Sequence, residues 1–371
     1  MEPHAPDKIL LAVAAILLVS GLAILMSASA GLSQSEFGHP YYYILRQVKI
    51  GVVAGTIGAA LVWIMPLSFL RAGALPAFVV MFGAMLAVFI PGIGVSFAGA
   101  QRWLSIGSIA FQPAEGMKFA LLLYLAAWFA SRKEVLEDFY EGFLPFLLVV
   151  GAIGGILILQ PDISTLGVIA ITALILYFLA GAQLRFIGLS LGMGAALLLL
   201  LVKLAPYRIN RILAFLNPGI DPLGISYQIN QAVLAVGSGG LFGRGLGLSR
   251  EKLFWLPEAT GDAIFAIFAE ELGFIGGAAL ILLFVIFLWR GFRIGMRLND
   301  PFMRFLAFGI STMIVVQVFL NIAGNIALLP LVGITLPFIS YGSSSLAVTL
   351  IMTATLLKLS RYTSSRLYRG E

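Results

Sequence analysis

Four carboxylates stand within or beside one apolar stretch of the chain: Glu258, Asp262, Glu270 and Glu271. An ionised side chain in hydrocarbon costs at least ~2.5 to 3.5 kcal/mol, so acids at such positions need a chemical or structural reason. Asp262 comes just before the apolar run and could therefore cap a helix, accept a proton or bind a metal ion. Glu270 lies ~12 Å deeper at helical rise. Glu271 points the opposite way, and we expect it to bond a polar group on another helix.

A glycine-dense segment, residues 239–247, precedes these four acids. Backbone N–H groups of such a segment can turn toward one anion, and Arg244, Arg250 and Lys252 add positive charge. No strand comes before the segment, which excludes a nucleotide-binding loop. The pattern instead favours binding of a pyrophosphate group at the membrane surface. We expect the three basic side chains to be exposed to water.

The composition is that of a helical membrane protein. Of the 371 residues, 60% are hydrophobic and 11% are charged, and the mean hydropathy is +1.03. Several apolar runs exceed the ~20 residues that span a bilayer. The net charge of +6 does not indicate nucleic-acid binding, because the basic residues are scattered between apolar helices. The chain has no cysteine, which excludes disulfides and thiolate chemistry.

We predict an all-α, polytopic membrane protein of about ten transmembrane helices in a single domain, residues 1–371. The first apolar run is long enough to remain as a span rather than be removed as a signal peptide. An even number of spans places both termini on one side, and most basic residues lie in the loops of that side. By the positive-inside rule that side is the cytoplasm. The predicted spans are roughly 9–30, 47–65, 74–96, 113–131, 143–160, 164–180, 185–204, 263–289, 304–328 and 337–359.

One long loop, about 205–262, lies on the opposite, extracytoplasmic side. It holds two stretches of near-helical periodicity, 207–216 and 226–236, so it is predicted to be structured. An ordered loop of this length in a compact membrane protein is usually functional. Its basic residues, which include Arg208 and Arg211, favour anionic headgroups or an anionic lipid substrate.

Smaller polar motifs lie at other predicted span ends. Arg102 and Trp103 follow the third span. Glu115 and Lys118 fall on one face of the fourth, and their spacing does not decide between a structural ion pair and a functional site. Asp162 follows Gln160-Pro161 in a tight turn, where a helix cap is favoured over a functional role.

The ninth predicted span carries a polar stripe, since Gln317, Asn321 and Asn325 recur every four residues. Such stripes usually make hydrogen bonds between helices, which we favour over the lining of a transport pathway. The serines at 343–345, near the start of the last span, are expected to allow close helix packing.

Taken in order, these residues resemble the SEDS family of bacterial cell-wall polymerases, the group of FtsW, RodA and SpoVE. The likeness covers nearly all of the chain, and the order and spacing of the motifs make it specific. The sequence departs from the family pattern at Thr260-Gly261, where His-Thr is usual, and at Ser343, where glycine is more common. Residues 245–249 and 257–259 favour the FtsW-like division and sporulation branch over RodA. The matching motifs are Arg102-Trp103, Gln112-Pro113-x-Glu115-x-x-Lys118, Gln160-Pro161-Asp162, Asn217-Pro218 with Tyr227-Gln228, the glycines of 238–247, Leu256-Pro257-Glu258-Ala259-x-x-Asp262, Glu270-Glu271-x-Gly273, and residues 336–342.

The resemblance implies an inverting glycosyltransferase that polymerises lipid II, the disaccharide-pentapeptide on undecaprenyl pyrophosphate, at the outer face of the bacterial cytoplasmic membrane. Asp262 matches the essential acid of the family and is the expected catalytic base. The resemblance also implies a divalent cation, Mg²⁺ or Mn²⁺, and no organic cofactor, and the sequence assigns no metal ligands. Implied partners are a class B penicillin-binding protein and other division or elongation membrane proteins. The expected substrate-binding residues are Arg102, Trp103, Glu115, Lys118, Arg244, Arg250, Lys252 and Glu258.

Two other functions stay open on the sequence. A transporter that flips lipid II would also be polytopic, but it would need essential polar residues near mid-bilayer and paired inverted repeats. The sequence shows no convincing internal repeat. A non-catalytic scaffold for division enzymes is the third alternative. Polymerisation differs from both because it requires an essential acid at the outer surface.

Overall fold

A computed structural model describes residues 3–97, 100–107, 109–132, 135–204, 206–253 and 255–364, and most of these residues are helical. Short π-helical turns, Gln47–Val52 and Phe139–Phe143, lead into the third and seventh helices. The helices are α1 (Lys8–Phe37), α2 (Tyr42–Arg46), α3 (Val53–Ile64), α4 (Leu67–Ala72), α5 (Ala74–Ala87), α6 (Pro113–Ser131), α7 (Leu144–Leu159), α8 (Ile163–Leu179), α9 (Leu184–Leu204), α10 (Pro206–Leu216), α11 (Tyr227–Ser238), α12 (Ile264–Arg297), α13 (Pro301–Asn325) and α14 (Ser343–Ser360).

Each predicted span corresponds to a helix or a run of helices in the described part of the chain. Seven helical segments there are long and apolar enough to cross a membrane, and α5 and α8 are shorter apolar helices. The prediction of a polytopic helical membrane protein is therefore confirmed. Several bounds were wrong. Helix α12 runs on to Arg297, and α14 begins only at Ser343, because Phe338 has a left-handed φ of 68° that interrupts helical geometry.

The all-helical prediction missed a small sheet between α5 and α6. Its central strand pairs on both sides, with Leu104 opposite Gly94 and opposite Phe111. The predicted third span was too long because α5 ends before the sheet begins. The central strand also carries Arg102 and Trp103, so the sheet positions two of the predicted site residues. The antiparallel strands follow chain order as β1 (Gly94–Phe97), β2 (Ala100–Ile106) and β3 (Ile109–Phe111).

The first and last described residues meet at one end of the bundle, called here the terminal end. Asp7 caps α1 by accepting a hydrogen bond from the N–H of Leu10 at 2.9 Å. Its own N–H donates to the hydroxyl of Ser360 at 2.9 Å, and its carboxylate pairs with Arg290 of α12. The opposite end, called here the loop end, carries the sheet and residues 206–253 and 255–262. Helix α12 thus connects the two ends.

Helix α12 is broken at Gly273, whose φ of 67° and ψ of −168° are not helical. The break is bonded by the glycine-dense segment 239–247. The carbonyls of Glu270 and Glu271 accept hydrogen bonds from the N–H groups of Arg244 and Gly245, each at 3.0 Å. On the far side of the break, the N–H groups of Phe274 and Ile275 donate to carbonyls of the same segment at 2.8 and 3.1 Å. Backbone groups at membrane depth must be bonded within the protein, and this segment supplies the bonds.

The glycines of this segment are needed for close approach to α12. A Cβ at Gly243 would lie 2.2 Å from the carbonyl oxygen of Glu271, and one at Gly239 would lie 2.1 Å from that of Ala269. The segment was interpreted from sequence as an anion-binding loop. That interpretation was wrong for the amides of Arg244 and Gly245, because carbonyl oxygens of α12 already accept from them.

Two matched glycine substitutions test this packing. Gly243 and Gly247 have the same left-handed φ of 81°, but a Cβ at Gly247 would meet nothing within 4 Å. Alanine at either position costs about 1–2 kcal/mol in backbone strain. Only Gly243→Ala adds a collision with α12, so it should lower the melting temperature of the purified protein well below that of Gly247→Ala. Equal melting temperatures for the two variants would contradict the packing role.

Candidate functional site

A cavity of about 850 Å³ opens at the loop end. Its wall combines the sheet, α6, the start of α8, helices α9 and α10, and the non-helical segment 330–335 after α13. Three predicted site residues, Arg244, Arg250 and Lys252, do not line it. The predicted site residues that the cavity brings together are Arg102, Trp103, Glu115, Lys118, Glu258 and Asp262.

Asp262 lies in a tight turn just before α12. The N–H groups of Gly261 and Ala263 both donate to the carbonyl of Glu258, at 3.0 and 3.1 Å, which closes the turn. Ala263 is the N-cap of α12, and no side chain caps the helix there, so the carboxyl of Asp262 is not used as a cap. Its Oδ2 lies against Gly333, where an added Cβ would be 3.0 Å away. The carboxyl is therefore left available on the cavity wall.

The environment raises the pKa of Asp262 to about 7. Burial is the largest cause, because it penalises the charged form, and the negative charge of Glu258 is the next. Asp162 raises the pKa further, whereas the positive charges of Arg211 and Arg102 lower it. A carboxyl with a pKa near neutrality is suited to accept a proton in a reaction at neutral pH.

The polar stripe predicted on the ninth span makes the expected bonds to other elements. Gln317 accepts from Lys118 of α6 at 2.7 Å and donates to the carbonyl of Thr335 at 2.8 Å. Asn321 and Asn325 each donate to the carbonyl of Asp262 at 2.9 Å. The prediction of hydrogen bonds between elements is thus confirmed. The stripe connects α6, the segment after α13 and the turn that carries Asp262.

Glu115 and Lys118 form a buried ion pair, with Nζ of Lys118 2.7 Å from Oε2 of Glu115. The side chains are only 8% and 3% exposed, and Lys118 makes a further bond to Gln317. The structural ion pair left open by the sequence is therefore present. Both residues also line the cavity, so their charges cancel at its wall.

Arg102 and Asp162 organise the turn between α7 and α8. Nε of Arg102 donates to the carbonyl of Gln160 at 2.9 Å, and its guanidinium also bonds the carbonyl of Pro161. Asp162 caps α8, accepting from the N–H of Thr165 at 3.2 Å and from its hydroxyl at 2.9 Å. The cap favoured for Asp162 is confirmed. Two neutral carbonyl oxygens thus orient Arg102, and its guanidinium also lies 3.9 Å from the carboxylate of Asp162, which offsets part of its charge.

The basic residues of the glycine-dense loop lie elsewhere. Arg244 is 3.4 Å from the carboxylate of Glu270, and Lys252 is 2.7 Å from that of Glu271. Glu271 also accepts from Ser27 of α1 at 2.7 Å, so its expected bond to another helix is confirmed. The expectation of exposure was wrong for Lys252, whose side chain is 10% exposed, because the two acids below the loop attract these cations. Arg250 is exposed.

Sequence reasoning missed Arg211 as a residue of the cavity. Arg211 lies on α10, where it is exposed and donates to the carbonyl of Leu331 at 3.4 Å. The basic and apolar alternation of this stretch predicted the helix and a membrane-surface location. It could not show that one basic side chain lines the same cavity as Asp262. Arg208 is outside the residues whose side chains are described.

Comparison with known proteins identifies the family. The family model for the FtsW, RodA and SpoVE cell cycle proteins matches residues 7–365. The chain belongs to this family. It is 41% identical over 361 residues to stage V sporulation protein E of Bacillus subtilis (strain 168), covering 96% of this chain and 98% of that protein. It is 38% identical over 357 residues to a probable peptidoglycan glycosyltransferase FtsW of Geobacter sp. (strain M18), covering 95% and 96% of the two chains.

Solved structures of the family share the fold. The crystal structure of the rod shape determining protein RodA of Thermus thermophilus has a TM-score of 0.71 at 26% identity, covering 97% of this chain and 99% of RodA. A chain in a peptidoglycan synthase complex that coordinates polymerization and crosslinking has a TM-score of 0.77 at 26% identity, covering 96% and 98% of the two chains. The higher identity to the FtsW and sporulation proteins agrees with the predicted FtsW-like branch.

The family resemblance led us to expect a divalent cation. The described residues contain no group of three or more His, Cys, Asp and Glu side chains placed to hold a metal ion. Two carboxylates, Glu258 and Asp262, do interact on the cavity wall. Mg²⁺ is commonly held by one or two carboxylates together with substrate phosphates. The described residues therefore fit a cation that arrives with a phosphate-bearing substrate better than an ion caged by protein alone.

The Glu115–Lys118 pair gives a double-substitution test. Replacing one partner leaves a buried charge uncompensated, which costs about 3–5 kcal/mol, whereas replacing both by apolar residues is much less costly. We expect Glu115→Leu or Lys118→Met alone to lower expression and melting temperature more than the double variant does. A double variant that expresses and melts no better than either single variant would show that the pair is not structural.

Proposed function

We propose that this family member is an inverting peptidoglycan glycosyltransferase that polymerises lipid II into glycan strands. The observation that carries the proposal is the carboxyl of Asp262, which does not serve as a helix cap and has a raised pKa. It lies on the wall of a large cavity that is also lined by Arg102 and Arg211. The FtsW relatives named as peptidoglycan glycosyltransferases support the same reaction. A role in cell division or shape maintenance follows from the family of cell cycle proteins.

In the proposed reaction, a sugar hydroxyl of the acceptor attacks the anomeric carbon of the lipid-linked donor. A new C–O bond forms while the bond between that carbon and the pyrophosphate oxygen breaks. Asp262 takes the hydroxyl proton, and the electron pair of the broken bond leaves with undecaprenyl pyrophosphate. Attack opposite the leaving group inverts the anomeric carbon. A positioned base contributes ~10² to 10⁴ in rate.

Arg102 and Arg211 bind the pyrophosphate in this proposal, because both are cationic, line the cavity and lie near Asp262. Planar guanidinium groups suit phosphate oxygens. Trp103 supplies an apolar face for the sugar from the same wall. Arg244 and Lys252 act on the fold, since each neutralises a buried glutamate beneath the loop. The exposed Arg250 remains a candidate for lipid headgroups at the membrane surface.

A divalent cation, Mg²⁺ or Mn²⁺, belongs to the proposal as a partner of the pyrophosphate. Glu258 is the carboxylate that would hold it, beside the base. Its chemistry there is charge shielding of the phosphates. Glu258 fits this role because its side chain is exposed and lines the cavity beside Asp262.

The proposed location is the bacterial cytoplasmic membrane, with the loop end outside and both termini in the cytoplasm. The basic residues support this orientation, because Arg290, Arg293 and Arg297 cluster at the terminal end of α12. The proposed partner is a class B penicillin-binding protein that cross-links the new strand. Its support is the similarity to a complex that coordinates polymerization and crosslinking. Other division or elongation membrane proteins are expected beside it.

Lipid II transport is the second candidate function. It would need uncompensated polar residues along a route through the bilayer. Glu115 and Lys118 neutralise each other, and Gln317 is used by Lys118 and Thr335. The available acid is instead Asp262, at the loop end of α12. This placement favours polymerisation over transport.

The central experiment replaces the base. Purified full-length protein with its transpeptidase partner receives labelled lipid II, and product chain length is measured. Asp262→Asn, which is nearly isosteric but accepts no proton, should reduce polymerisation by ~10² to 10⁴ with a melting temperature near wild type. Glu137→Gln, at an exposed acid outside the cavity wall, should be fully active. An Asp262→Asn protein that extends glycan strands at the wild-type rate would remove Asp262 as the base.

The pH dependence provides an independent prediction. A base must be deprotonated, and Asp262 has a pKa of about 7, so the rate should fall about tenfold for each pH unit below 7. This fall in rate is the acid limb of the pH profile. Glu258→Gln removes a negative neighbour of Asp262, which lowers the pKa of Asp262 and moves the acid limb to lower pH. Arg211→Gln removes a positive neighbour and moves it to higher pH. Identical acid limbs in the wild type and both variants would contradict the assignment.

A further inference from the structure

The buried stripe on α13 reaches the catalytic turn directly. Asn321 and Asn325 are each 1% exposed, and both donate Nδ2 to the main-chain carbonyl oxygen of Asp262 at 2.9 Å. A carbonyl oxygen has two lone pairs, so this one is fully used. Both bonds reach the backbone of the proposed base and leave its carboxyl available.

The two preceding carbonyls of the turn are also bonded from outside it. The carbonyl of Thr260 accepts from the N–H of Tyr341 at 2.8 Å, and that of Gly261 accepts from the hydroxyl of Ser340 at 2.7 Å. Three successive carbonyls, 260 to 262, are therefore held by α13 and by the segment that follows it. A rotation of any of these peptide planes would break a hydrogen bond.

The same stripe fixes the surface that the carboxyl contacts. Asn321 also donates to the carbonyl of Ile334 at 2.7 Å, and Gln317 donates to the carbonyl of Thr335 at 2.8 Å. These residues follow Gly333, which lies against Oδ2 of Asp262. One face of α13 thus fixes the position of the main chain of Asp262 and the position of the wall beside its carboxyl.

We propose that Asn321 and Asn325 are positioning residues for glycosyl transfer, which hold the main chain of Asp262 so that its carboxyl stays against Gly333 and faces the cavity. The inference rests on the proposed function, because the two amides have no chemistry of their own in it. Misplacement of a catalytic group by about 1 Å can cost 10²-fold in rate. A role in helix packing alone would change stability and leave the rate of the folded protein unchanged.

Asn325 allows the cleaner test. Its Oδ1 is buried and accepts no hydrogen bond from the described residues, so this side chain is not fully satisfied where it lies. When Asn325 is replaced by leucine, the carbonyl of Asp262 keeps its bond from Asn321 and is not left unpaired. Asn325→Leu therefore removes one restraint on the turn, and because it also removes the donor 3.4 Å from the buried Oδ1 of Asn321, we expect a moderate fall in melting temperature.

The experiment measures kcat and KM for labelled lipid II with the full chain and its transpeptidase partner. Asn325→Leu should lower the kcat of the folded protein by about 10- to 100-fold, with KM changed less than about threefold and the melting temperature moderately lowered. The matched control is Thr312→Val, which removes a buried hydroxyl without a described partner from the same helix and should leave kcat unchanged.

A second variant covers the case in which Asn325→Leu does not fold. Gly333→Ala places a methyl group 3.0 Å from Oδ2 of Asp262 and displaces the carboxyl from the other side. It should show the same loss of kcat.

Several outcomes would overturn the proposal. A wild-type kcat in a folded Asn325→Leu protein would overturn it. If only Gly333→Ala folds, a wild-type kcat in that variant would overturn it. A loss of rate that merely equals the unfolded fraction of the protein would also overturn it. These results are distinguishable from failure of the proposed function. If the wild type does not polymerise lipid II, the proposed function fails. If it does, Asp262→Asn does not, and Asn325→Leu is as active as wild type, only the positioning role fails.

Discussion

The structure depends on one constraint: a backbone N–H or C=O group within hydrocarbon must be bonded inside the protein. Helix α12 loses intrahelical hydrogen bonds at Gly273, and backbone groups of the glycine-dense loop bond the atoms that are left without partners. The acids at 270 and 271 then bind the loop a second time, through their side chains. The loop, the break and the buried acids therefore form one unit. This unit holds the first part of α12, which begins directly after the turn that carries Asp262.

Charges in this protein fall into two groups. Some are neutralised where they lie, as in the pairs of Glu115 with Lys118 and of Glu271 with Lys252. These pairs bring polar atoms into the bundle without leaving a net charge. Others face the cavity and are oriented largely by backbone groups, although Arg102 also lies 3.9 Å from the carboxylate of Asp162. Arg102 is held mainly by carbonyl oxygens, and Asp262 is held by its main chain. A site that must bind an anion and accept a proton needs this second group.

Much of this architecture could be predicted from the sequence, because the bilayer imposes apolar runs of nearly fixed length. Local patterns also identified the cap at Asp162 and the stripe on α13. The small sheet was missed, since its short strands carry no apolar run that distinguishes them from a loop. The packing role of the glycine-dense loop, and the bonds of its amides at 244 and 245, were missed because a glycine needed for close packing and one needed for anion binding look alike in a sequence. Arg211 was not assigned to the cavity because that depends on how α10 packs against distant elements.

The bonds across the α12 break run in opposite chain directions, with Gly240 facing Phe274 and Arg244 facing Glu270. Such pairing has a fixed register, as two strands of a sheet do. An insertion or deletion of a single residue in either paired segment would shift every bond beyond it. Within α12 it would also turn the following half of the helix by ~100°. The pairing at the break therefore fixes the lengths of both segments. A change in the length of the loop before α11 would leave these bonds in place, because that loop lies outside both paired segments.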